Sequence, residues 1–133
     1  MTSAGKKRRD EKMQNKSTRE TIAKYYNSVK KKNGWQSVIS DDMVFTMGTQ
    51  ATKGKAAYVE ITGRFLRAVT DANLKETIID GDKACVIVAY DLRSPKGNIS
   101  TKEVVEILSV KGDKIASSSL YFDTEDFKIF MAQ

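Results

Sequence analysis

The chain has 133 residues, 40% hydrophobic and 30% charged, which suits one globular domain and leaves no room for a second. It has no histidine and a single cysteine, which excludes His-based triads, histidine general bases, an internal disulfide and essentially all zinc sites. The net charge is +6, yet residues 1–16 carry six basic groups (Lys6, Lys7, Arg8, Arg9, Lys12, Lys16) against two acidic ones (Asp10, Glu11), so the rest is close to neutral.

In chain order, residues 1–16 show a poor helical stripe and are expected to form a basic, mobile arm, with the folded domain over 17–133. Such an arm is more often solvated than bound to phosphates. The aromatics are not interleaved with basic residues, so no nucleic-acid partner is expected. Ser17-Thr18-Arg19-Glu20 reads as a capping box. Ile22, Tyr25, Tyr26 and Val29 then fall on one helical stripe. Lys30, Lys31 and Lys32 suit the last turn, and Asn33-Gly34 stops it. Trp35, Val38 and Ile39 predict a very short second helix ending at Asp41-Asp42. Val44 to Met47 reads as a strand closed by Gly48, and a polar loop through Gly54 leads to a helix over about 56–69 with Tyr58, Ile61, Phe65 and Val69 on one face.

From Leu74 the helical period disappears. Four strands are predicted, at roughly 74–80, 83–93, 99–110 and 115–122. Short connections rich in turn formers join them (Asp80-Gly81-Asp82, Ser94 to Asn98, Lys111 to Lys114), which makes an antiparallel meander. Thr124 to Met131 predicts a final helical turn with Phe127, Phe130 and Met131 inward. Residues 84–90 are apolar at both parities, as in a strand covered on both faces. Helices can cover one face, and either the chain ends or a partner subunit would cover the other, a homodimer through the sheet being the expectation. Cys85 sits in this run and reads as a small buried hydrophobe. No apolar run approaches the ~20 residues of a bilayer span, and the basic N-terminus precedes no apolar segment. No membrane partner is expected, and a cytoplasmic location is.

This order of elements resembles the cystatin-like cone shared by ketosteroid isomerases, SnoaL-like polyketide cyclases and nuclear transport factor two. The stretches that carry it are Ile22 to Tyr26, Gly34-Trp35, Asp41 to Phe45, Gly54 to Tyr58, Gly112 to Ile115 and Leu120 to Asp123. Together they run from about 18 to 127, with the second helix about one turn shorter than is common. The resemblance implies an α+β fold in which N-terminal helices pack on a curved mixed, mainly antiparallel sheet around an apolar pocket. It implies no single function, because enzymes and non-catalytic binding modules share this fold.

Measured against the families' catalytic sets, the chain is incomplete. The isomerase base position falls on Met47, which takes no proton. The isomerase tyrosine is matched by Tyr26, or by Tyr25 in a shifted register, and the second acid falls near Val105 or Glu106. Limonene-type epoxide hydrolases share the Tyr-Phe-Asp ending, but Val88 and Tyr90 stand near the places of their Arg-x-Asp pair, with Asp91 and Arg93 displaced. By period two, Ser117, Ser119, Tyr121 and Asp123 share one face of the last strand. If that face is concave, Asp123 is the candidate base, with Tyr26 or Tyr121 as hydrogen-bond donor, since an apolar cavity raises a carboxyl's pKa. The more common role for an Asp directly before Thr124-Glu125-Asp126 is to cap the helical turn that follows it.

Trp35, Phe45, Met47, Tyr58, Phe65, Tyr90 and Ser119 are the candidate ligand contacts. No cofactor or metal is expected: there is no glycine-rich nucleotide motif, Asp41-Asp42 point apart, and Asp80-Gly81-Asp82 is a hairpin turn. The expected function is binding of a small apolar or aromatic molecule. A cyclase- or isomerase-type proton transfer by Asp123 is the alternative, and a non-catalytic dimerisation or interaction domain the third.

Overall fold

A computed structural model describes the backbone of residues 3–133 and side chains from Gly5 onward. The elements are helix α1 (Ser3–Lys31), a 3-10 turn (Trp35–Val38), strands β1 (Ile39–Met47) and β2 (Gln50–Lys53), helix α2 (Lys55–Ala68), strands β3 (Val69–Asp80), β4 (Lys83–Arg93), β5 (Ile99–Lys111) and β6 (Lys114–Tyr121), and helix α3 (Thr124–Met131). All six strands form one sheet in the order β2-β1-β6-β5-β4-β3. The last four strands are the expected antiparallel meander, and β1 joins β6 as a parallel pair. Register breaks in β1, β3 and β6 bend the sheet, since an extra residue on one strand increases local twist. Helix α1 packs on β3 and β4, and α2 on β1.

The predicted stripe of α1 is its buried face: Ile22, Tyr25, Tyr26 and Val29 are all at most 4% exposed. The start of α1 corrects the sequence reading. Residues 3–16 are helical and continuous with the rest of α1, so Ser17 to Glu20 lies inside a helix and caps nothing. The expectation for Met1 and Thr2 lies outside the described residues. Contacts to the β3–β4 hairpin anchor this extension. Gly81 N–H donates to Asn15 Oδ1 (2.7 Å), and Thr18, fully buried, donates to the Gly81 carbonyl (2.6 Å). These partners lie far along the chain, so no local pattern reveals them. At its other end α1 stops in a Schellman turn: Asn33 N–H donates to the Ser28 carbonyl (3.0 Å) with Lys32 left-handed (φ 56°).

Three further boundaries differ. The 3-10 turn is shorter than the expected second helix, because β1 already begins at Ile39 and carries Asp41 and Asp42 as exposed strand residues. Residues read as a polar loop contain β2, an edge strand that pairs back on β1 through Met47 and Gln50. Strand β3 begins at Val69, five residues before its predicted start. The last helix runs over the predicted Thr124 to Met131. Among the described residues, no helix is long and apolar enough to cross a membrane.

The concave face of β4 and β5 is core: Ala84, Val86, Val88, Tyr90 and Leu92 on β4, with Val104, Leu108 and Val110 on β5, are all buried. The convex face carries Ile78 (58% exposed), Ile107 (45%) and Tyr121 (55%). Cys85, expected to be buried, lies on this face and is only half-buried, because it pairs between Ile78 and Ile107.

Candidate functional site

The helices and the concave face enclose a cavity of ≈ 730 Å³, within the usual range for a small-molecule site. Its walls are largely apolar. Helix α1 contributes Tyr25 and Val29, β1 Phe45 and Met47, and α2 Tyr58 and Phe65, while α3 closes one side with Phe127 and Met131. The ring of Phe65 stands edge-on to that of Tyr90, with centroids 5.0 Å apart and an interplanar angle of 90°, and 6.3 Å from that of Phe127. These contacts fix the wall between α2 and the sheet.

The floor is polar. On β5 the inward positions read Val104, Glu106, Leu108, Val110, so a carboxylate takes a core place, and Glu106 is only 6% exposed. Hydroxyls from two neighbouring strands meet it. Tyr90 donates to Oε1 at 3.1 Å and Ser118 to Oε2 at 3.5 Å. Burial raises the Glu106 pKa, and the nearby hydroxyls of Tyr26, Tyr90 and Ser118 oppose the rise only in part. Beside it, the hydroxyls of Tyr25 and Tyr58 share a buried hydrogen bond of 2.6 Å. All four tyrosines around Glu106 are pushed up in pKa, first by burial and next, for Tyr26, Tyr58 and Tyr90, by the nearby carboxyl; for Tyr25 its neighbour Tyr58 ranks second. The Tyr26 hydroxyl couples electrostatically to Glu106 but has no hydrogen-bond partner of good geometry. The arrangement is thus a carboxyl that holds its proton more readily than usual, surrounded by hydroxyls that stay protonated. It can donate to or accept from one polar group of a guest while the rest of the guest sits against apolar walls.

The sequence-derived candidates divide. Phe45, Met47, Tyr58, Phe65 and Tyr90 line the cavity. Trp35 is core at 3% exposed and Tyr26 is core at 4%, both behind the cavity surface. Ser119 pairs with Ile107 and so lies on the convex face, as does Tyr121. Asp123 is exposed, and its carboxylate accepts from Asp126 N–H at 2.9 Å as the cap of α3. The parity error has a single cause. Val110 pairs with Ile115 but Ser109 pairs with Ser117, so a bulge at Ala116 moves every later residue of β6 to the opposite face. Ser118 and Leu120 therefore face inward in place of Ser117, Ser119 and Tyr121. Sequence reasoning placed Glu106 only as a family correspondence. The signal that marks it is a charged residue between Val104 and Leu108 on the inward parity of β5.

Among the described residues, no cluster of acidic and cysteine side chains is placed to hold a metal. The lining also includes three cations, Arg64 and Lys128 exposed and Lys102 half-buried.

Residues 22–118 match the SnoaL-like domain. The chain belongs to that family. No curated protein matches it. Among solved structures, TerC co-crystallised with polyporic acid superposes with a TM-score of 0.76 at 19% identity, covering 88% of this chain and 99% of that one. A candidate SnoaL-like polyketide cyclase from Jannaschia sp. CCS1 superposes at 0.79 with 10% identity, covering 89% and 93%. A de novo designed protein with a curved β-sheet reaches 0.68 at 19% identity, covering 88% and 93%. At these identities the likeness shows the fold alone.

Proposed function

We propose that this SnoaL-like domain binds a small apolar or aromatic molecule in the cavity, with one hydrogen-bonding group of the guest turned towards Glu106 and the Tyr25–Tyr58 pair. The observation that carries this reading is the buried carboxyl of Glu106 on the floor of an otherwise apolar cavity. A buried polar floor whose hydrogen-bonding capacity is only partly used costs free energy, and a ligand carbonyl or hydroxyl offsets that cost. TerC, which shares the fold, was co-crystallised with a small molecule. Thermal-shift measurement against aromatic ketones and phenols tests it. Binding should raise the Tm of the wild type by several degrees at saturating ligand, and Phe45→Trp, which narrows the cavity, should reduce the rise. No shift with any such compound would reject the reading.

A second reading has its own observation. The raised pKa of Glu106 suits a proton-transfer group, the role first assigned to Asp123, and the candidate cyclase shares the fold. Exchange of deuterium into the carbon next to a bound ketone, followed by NMR, should then be faster with wild type than with Glu106→Gln. Equal rates would leave binding alone.

The apolar convex face supports a homodimer through the sheet, with Ile78 and Ile107 at its centre. Sedimentation equilibrium at micromolar concentration should return twice the chain mass, and a monomer would exclude it.

A further inference from the structure

Charge is distributed unevenly along the cavity. Glu106 is the one carboxylate among the described lining residues, and it is buried at the floor. The lining cations are Arg64 from α2 and Lys128 from α3, both exposed at the rim, and Lys102 from β5, which is half-buried. Two of them are engaged by acids that lie outside the lining. Arg64 Nη2 is 2.5 Å from Glu60 Oε1, and Lys102 Nζ is 2.6 Å from Asp126 Oδ2. Lys102 is further held 5.3 Å from the Phe130 ring centroid. Lys128 has no ion pair among the described residues, and it follows Phe127, whose ring closes the apolar wall against Phe65. An unpaired ammonium therefore stands where the apolar surface ends and solvent begins.

With Arg64 and Lys102 paired, Lys128 is the one cation of the described lining without an ion pair, and beside a low-dielectric cleft it favours an anion over a cation. The floor contributes little opposing charge, because burial there favours the protonated acid. On the reading of the cavity as a binding site, we infer that the ligand is a monoanionic apolar acid: its carboxylate rests at the rim beside Lys128 and its apolar body fills the space down to Glu106. This orientation satisfies the free cation without burying it, and leaves the anion partly hydrated, so neither charge bears a full desolvation cost.

The test uses a matched pair of fluorescent probes, anthracene-2-carboxylic acid and anthracene-2-carboxamide. They have the same shape and differ in one charge at pH 7.5. Fluorescence titration of the full chain at low salt should give roughly fivefold tighter binding of the acid, the scale of an exposed ion pair, with the margin shrinking at high salt. In Lys128→Glu the preference should reverse, with the amide the tighter ligand, and a Tm close to that of the wild type shows that the variant is folded. If the amide binds as tightly as the acid, the inference fails and the cavity still stands as a binding site. If the acid is preferred but Lys128→Glu changes nothing, the position assigned to the carboxylate is overturned. If neither probe binds, the binding site falls too.

Discussion

Neighbouring residues on β5 break the usual rule of burial in opposite directions. Glu106 turns a carboxyl into the interior at 6% exposure, and Ile107 turns an aliphatic side chain out at 45%. Two residues further on, the rule returns: Leu108 is buried, and Ser109 meets Ser117 across the strands. The two faces of the sheet therefore bear different demands at one level. Inside, a polar group is held in a space too apolar for it, and hydroxyls from Tyr90 and Ser118 satisfy it only in part. Outside, apolar groups are left without cover. Buried polar groups and exposed apolar patches are the informative departures from ordinary burial. Here they lie back to back on one strand, so a ligand on one side and a second copy on the other would act on the same backbone.

The sharpest way to break this contrast is to place the same charge on each face. Val88→Asp, at a position 0% exposed, should cost about 4 kcal/mol or more and leave little folded protein, since the carboxylate would be buried without a partner. Ile107→Asp should shift the stability of the dilute protein by less than about 0.5 kcal/mol. Urea unfolding followed by circular dichroism compares them, and equal losses would erase the distinction between the faces.

Tyr58→Phe removes one partner of the buried 2.6 Å hydrogen bond to Tyr25 and should cost about 1–2 kcal/mol. Adding Tyr25→Phe should then recover part of the loss, because no hydroxyl is left unpaired. A simple sum of two losses would show that the pair contributes no coupling.

Glu106→Gln sharpens the inner side through pH. Burial raises the folded pKa of Glu106 above its unfolded value, near the ordinary ~4.3. The folded state then binds more protons than the unfolded state in the window between the two. The wild type therefore loses stability as pH climbs from the unfolded pKa to the folded one, and levels off above it. Gln carries no such loss, so the Tm advantage of Glu106→Gln should grow with pH through that window and be smallest near pH 4. A constant difference across the range would mean that Glu106 does not titrate in the folded protein.

The smallest effect on the fold itself is expected from Ile78→Glu with Ile107→Glu. The Tm of dilute protein should move little, while sedimentation should show a lower mass than the wild type at the same concentration. An unchanged mass would remove the sheet face from the interface.

Much of the framework was legible because it depends on local pattern. The stripe from Ile22 to Val29, the turn chemistry of Asp80-Gly81-Asp82 and the uninterrupted apolar run of β4 each report a short-range preference that the tertiary structure agrees with. What escaped depends on distant partners or on one inserted residue. Asn15 and Thr18 order the first half of α1 only because Gly81 is folded against them, and nothing near residue 15 announces a hairpin so far along the chain. The bulge at Ala116 changes no residue type, yet it reverses which side of β6 faces the cavity. That displaced Ser119 and Tyr121 from the expected site to the outer face. Asp123 kept its local role as a cap, which its neighbours Thr124 to Asp126 already suggested. Glu106 was visible as a pattern violation on β5, but a violation shows only that something unusual is present, and its hydroxyl partners come from β4 and β6.

The parallel pairing of β1 with β6, where Phe45 lies beside Ser118, carries a kinetic consequence. The strand nearest the N-terminus finds its neighbour only after the final hairpin has been synthesised, and the sheet cannot close before then. A chain emerging from the ribosome would hold β1 and β2 as an orphan hairpin until β6 is made. Closure of such a distant contact is slow compared with local hairpin formation, so refolding should show an early meander followed by a later step in which the first strand docks.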